Sequence, residues 1–127
     1  MRTSYFAKYS RLPQEEKDKY LPIAISTSVP KWFTECYDHI VELAPPQHLV
    51  YKLKNGMIEV SEFAVEYIEM LKQWVKLDIC IQYLEFLEET HGKEVVLLCY
   101  EKSDDFCHRQ LLVNYIKNVY DNDIQEL

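Results

Sequence analysis

Apolar positions along this chain fall into two kinds of run. "EVVLLCY" (residues 94–100) is uninterrupted and rich in branched side chains, the pattern of a strand buried on both faces. "LPIAISTS" holds a shorter run of that kind at residues 23–26, before Pro30 discourages any further ladder. "MRTSYF" has a β-rich composition and predicts a first strand over residues 1–6. Elsewhere the apolar residues recur every three or four positions, which is the period of a helix packed on one side.

Five stretches carry the helical period. "WFTECYDHIVEL" sets Phe33, Cys36, Ile40 and Leu43 at helical spacing until Ala-Pro-Pro stops it. "QHLVYKLKNG" reads as a short helix ended by Asn55-Gly56 in a left-handed cap. "SEFAVEYIEMLKQWV" keeps Ala64, Tyr67, Ile68, Leu71 and Trp74 near one stripe, with Ser61 as N-cap and Trp74 in the core. "DICIQYLEFLEETHG" continues with Cys80, Leu84 and Leu87 and ends at Gly92, and a last helix runs from about Phe106 to Tyr120. The polar "RLPQEEKDKY", with Pro13, is a loop or a short helical turn.

Strands separated by helices require crossover connections, hence a parallel sheet with helices on its faces. The expected fold is a small three-layer, Rossmann-like α/β domain with about three strands, spanning residues 1–127 as one domain.

Composition narrows the function classes. With 48% hydrophobic and 28% charged residues, the chain reads as globular rather than disordered. Its apolar runs fall far short of the ~20 residues of a membrane span, and "MRTSYFAKYS" lacks a secretory pattern, so a cytoplasmic location is expected. In that compartment Cys36, Cys80, Cys99 and Cys107 are expected as reduced thiols. The net charge of −7 argues against non-specific binding to a phosphate backbone. Its distribution is uneven: residues 1–54 carry eight Lys/Arg against six Asp/Glu, and residues 55–127 carry six against fifteen. With only 2 glycines there is neither a G-x-G-x-x-G fingerprint nor a Walker loop, and no cofactor is expected.

In an open parallel sheet, ligands bind at the carboxyl ends of the strands. The segments that follow the three strands offer Ser4, Lys8 and Arg11; then Ser26, Thr27, Ser28, Lys31 and Trp32; then Glu101 through Arg109. Asp105 could cap the last helix, placing Cys107 and His108 in its first turn, where the positive helix end favours a thiolate. The bland alternative makes Cys107 the start of the apolar stripe of Leu111 and Tyr115. Arg109 sits at the wrong helix end for its charge, so it needs an anion: Glu101, Asp104 or a bound ligand. Trp32 could stack on a planar ligand or pack beneath its loop. His39, His48 and His91 read as surface residues. Cys99 and Cys107 are separated by seven residues with no second pair, so no metal site is expected. A phosphatase-type loop is excluded by the bulky, acidic residues after Cys99.

"TSYFAKY", "AISTSVPKWF" and "VVLLCYEKSDDFCHR" together resemble the family catalogued as domain of unknown function 488, in its compact form with "PKWF". The resemblance spans essentially the whole chain. It implies an α/β fold and marks Cys99, Glu101, Cys107, His108 and Arg109 as the family signature, without implying a reaction.

Three readings from different classes follow. The first is a binding module for a small anionic, nucleotide-like molecule, with Arg109 and Lys8 on the anion, Trp32 stacking, and Ser4, Ser26, Ser28 and Lys31 around it. The second is an enzyme with Cys107 as thiolate nucleophile and His108 or Glu101 moving protons. The third is a protein-interaction module using the acidic helices.

Overall fold

The strand expected at "EVVLLCY" is present as β4 (Glu94–Cys99), one residue shorter than that run, and it lies at the centre of the sheet. The computed structural model describes residues 1–74, 76–100 and 108–127. In chain order these form β1 (Arg2–Tyr5), α1 (Phe6–Ser10), α2 (Gln14–Lys17), β2 (Tyr20–Ala24) and β3 (Asp38–His39). A 3-10 turn (Val41–Leu43), α3 (Gln47–Lys54), α4 (Val60–Gln73) and α5 (Leu77–His91) lead to β4, and α6 (His108–Tyr120) leads to β5 (Gln125–Glu126). The five strands pair in the order β3-β2-β4-β1-β5, every pairing parallel.

The α/β class is as expected, and the sheet is larger than the three strands anticipated. Both additional strands are two-residue edge strands, β3 and β5, too short and polar to produce an apolar run. The direction of the crossovers decides which helices cover which face. From β1 to β2 the chain steps over β4 in one direction; from β3 to β4 and from β4 to β5 it steps in the other. Right-handed crossovers place opposite steps on opposite faces. Accordingly α3, α4, α5 and α6 bury Leu49, Tyr67, Leu84 and Ile116 with Ile23, Val95 and Leu97 on one face. On the other, Phe6 and Tyr9 of α1 meet Phe33, Ala24, Val96 and Leu98.

Residues 33–43 do not form the expected helix. Phe33 packs on the smaller face, whereas Ile40 and Leu43 belong to the larger one. Their regular spacing therefore serves two opposite faces across a sheet edge, with β3 between them, instead of one helical stripe. The first strand ends at Tyr5 because Phe6 already opens α1. The second starts earlier than expected and includes Pro22, which is accommodated because β3 begins only opposite Ile23. Pro22 still accepts a hydrogen bond from the Tyr37 N–H at 2.8 Å.

The predicted stops hold where backbone chemistry fixes them. Gly92 ends α5 at φ 63°, and Asn55-Gly56 follows α3, with Gly56 at φ 68°. α4 is capped by Glu59 in place of Ser61, through a reciprocal capping box with Glu62.

Candidate functional site

All strands run the same way, so their carboxyl ends share one edge, and a crevice of about 360 Å³ lies there. The loop after β2 contributes Ser26, Thr27 and Ser28 to its wall. The opposite wall is α3, which presents Gln47, Val50 and Lys54 at helical spacing, and Pro45, Tyr100 and His108 complete the lining.

Two imidazoles hold the β2 loop in place. His108 Nε2 lies 2.9 Å from the Ile25 carbonyl and His39 Nε2 lies 2.5 Å from the Ser26 carbonyl. A carbonyl only accepts, so each Nε2 carries the hydrogen. Ser26 Oγ donates to the Ser28 carbonyl at 2.6 Å, which closes the loop on itself. Ser28 Oγ in turn lies 3.2 Å from the Tyr100 hydroxyl. Behind His108 stands the buried ring of Tyr67, edge-on with centroids 5.8 Å apart, its hydroxyl donating to the Leu43 carbonyl at 2.5 Å. On the other flank Tyr100 packs edge-on against Phe6 at 5.3 Å, and Phe33 links Phe6 to Trp32.

Arg109 follows His108 in sequence and points elsewhere. Its side chain is 0% exposed, with Nε 3.2 Å from Cys99 Sγ and a terminal nitrogen 3.2 Å from Thr3 Oγ1 and 2.5 Å from Glu126 Oε1. Burial opposes the guanidinium charge, but Cys99 and the Glu126 carboxylate outweigh it and hold the group above its ordinary pKa. Thus β5 brings a carboxylate to the arginine that the helix end would otherwise disfavour.

The residues expected to bind ligand are therefore distributed. Ser26, Ser28 and His108 meet in the crevice. Ser4 is fully buried on β1, its hydroxyl without a hydrogen-bond partner among the described residues. Lys8, on α1, donates to the Leu127 carbonyl. Lys31 is exposed and Trp32 is 60% exposed, both outside the crevice lining. Glu101 and Cys107, like Asp104 and Asp105, lie outside the described residues. Sequence reasoning missed Gln47, Lys54 and Tyr100, although the spacing of residues 47, 50 and 54 on a predicted helix already marked one face. Nothing in the sequence announced Glu126.

Among the described residues, no group of three or more His, Cys, Asp or Glu side chains could hold a metal ion. No helix among them is long and apolar enough to cross a membrane. A family model, DUF488-N3a, described as the active DUF488-N3 subclade, matches residues 5–119. The chain belongs to the DUF488 family. In this DUF488 chain the match runs from the end of β1 into α6, so Glu126 lies beyond it. No curated protein and no solved structure matches the chain.

Proposed function

We propose that this DUF488 domain binds a small anionic, nucleotide-like molecule in the crevice at the carboxyl edge of its sheet. The observation that carries the reading is the convergence there of Ser26, Thr27, Ser28, Lys54, Tyr100 and His108 in a space of about 360 Å³. That volume falls within the size range of small-molecule pockets. Lys54 supplies the charge for the anion, the hydroxyls of residues 26–28 supply short-range polar contacts, and the Tyr100 ring offers a planar surface. His39 and His108 fix the loop carbonyls beforehand, which lowers the ordering cost of binding. Arg109 acts from behind this wall by anchoring the start of α6 to β1, β4 and β5.

A thermal-shift and calorimetric panel of inorganic phosphate, nucleoside mono- and diphosphates and other phosphorylated metabolites tests the reading. At least one should raise the melting temperature, and Lys54→Ala should weaken it about tenfold or more, the scale of a lost charge-assisted contact. Stabilisation by none of them, or equal affinity in Lys54→Ala, rejects the proposal.

A further inference from the structure

α3 separates the crevice from a second, larger depression of about 680 Å³ on its other flank, bounded by α4 and the 3-10 turn. Its floor is apolar: Leu49, Val65, Met70 and Trp74. α4 fills the core with Phe63, Tyr67 and Leu71, and the side chains of this depression occupy the adjacent flank of that helix. Val65 is 63% exposed, an unusual position for a branched apolar side chain at mid-helix. Around this floor stand Glu42, Glu66 and Glu69 with His48 and Gln73, and among the described residues no lysine or arginine lines it. Glu69 reaches only the exposed Lys72, at 3.6 Å, and Glu42 and Glu66 make no ion pair among the described residues.

We infer that this groove docks a basic amphipathic helix of a protein partner. A strip of apolar side chains flanked by carboxylates is the complement of a helix with a leucine-type stripe bordered by Lys or Arg. The charge argument selects that occupant. An anionic or acidic segment would meet three glutamates at close range, and residues 55–127 as a whole carry fifteen acids against six bases. The proposal is independent of the crevice ligand, which meets the opposite flank of α3.

The probe is a synthetic amphipathic helix of leucine and lysine about four turns long. The protein's 2 tryptophans are Trp32 and Trp74, so in a Trp32→Phe background fluorescence reports Trp74 alone. Saturable binding should shift Trp74 emission to the blue as peptide covers the ring. The double variant Glu66→Lys/Glu69→Lys should weaken binding about tenfold or more, on the scale of opposed charge pairs at an interface. Val65→Ser, a neutral polar change at an exposed position, should weaken it too without loss of helical circular dichroism. Glu85→Lys/Glu89→Lys, the same charge change on exposed positions of α5, should leave affinity within about twofold if the effect is local. Equal loss in the α4 and α5 double variants would reduce the interaction to net charge and overturn the proposal. An unmoved Trp74 signal, or equal binding of a scrambled peptide lacking the apolar stripe, would overturn it as well.

Discussion

His108 and Arg109 are adjacent in sequence and have opposite fates. His108 lines an open crevice while gripping the Ile25 carbonyl, and Arg109 is sealed beneath α6 against Glu126, Cys99 and Thr3. Residue type alone favours the arginine as the ligand-binding group, because guanidinium groups recognise anions well. Burial reverses that emphasis. A fully buried cation already held by a carboxylate serves the fold, whereas a half-buried imidazole on a crevice wall can serve both fold and ligand.

Substitutions should separate the two regions, with the largest effect on the sealed side. Arg109→Leu abandons the Glu126 carboxylate and the hydroxyl of Thr3, and should lower unfolding free energy by about 3 kcal/mol, the lower range for a broken buried pair. Glu126 is 39% exposed and can be hydrated when left alone, so Glu126→Gln should lose only about 1 kcal/mol. Urea titrations give both values; a loss below 1 kcal/mol for Arg109→Leu, on the order of a surface pair, would dissolve the distinction. On the crevice side, His108→Ala should lower stability by about 1 kcal/mol, the scale of one hydrogen bond. It should weaken any ligand found for the crevice far more than Glu126→Gln does. Equal effects of the two variants on ligand affinity would merge the regions into one site.

At neutral pH the smallest effect comes from groups under the two faces of the sheet, whose contribution changes only in alkali. Burial, reinforced by Glu42 and Asp38, pushes the Cys80 thiol from 9.0 up to about 11. Burial, reinforced by Glu35 and Asp18, pushes the Tyr9 hydroxyl from 10.0 up to about 12. The folded protein keeps these protons at pH values where the unfolded chain releases them. The contribution of these two groups should therefore be constant below about pH 9 and decline as pH rises from there toward 12. Urea midpoints measured between neutral and strongly alkaline pH check this, and Cys80→Ala should flatten the first part of the decline.

Much of the fold was legible because local chemistry dictated it. β4 was read from seven consecutive apolar-rich residues, of which it uses the first six, and the ends of α3 and α5 from the residues that follow them. The segment from Phe33 to Leu43 was misread because a sequence period cannot show that its apolar residues face two different layers. β5 was invisible because Gln125 and Glu126 contribute only backbone pairing and one carboxylate, and that carboxylate has meaning only beside Arg109. At the site, the topology correctly gathers the strand ends along one edge. Which side chains then enter the crevice depends on α3, whose polar face looks like ordinary solvent exposure until the helix is docked.

The position of β1 has a consequence for how the chain is made. Residues 2–5 pair with residues 96–99 on one side, and Arg2 and Thr3 pair with Gln125 and Glu126 on the other. At ribosomal rates of about 5–20 residues per second, the first strand waits roughly 5–20 seconds for β4 to be made. Throughout that interval its unpaired edges are open to other chains. Closing so long a loop also makes folding slow relative to the local helices α3 to α5, which can form early. This domain is therefore most exposed to misassembly on the ribosome, and holding β1 apart until the last residues emerge is where a chaperone would do most for its yield.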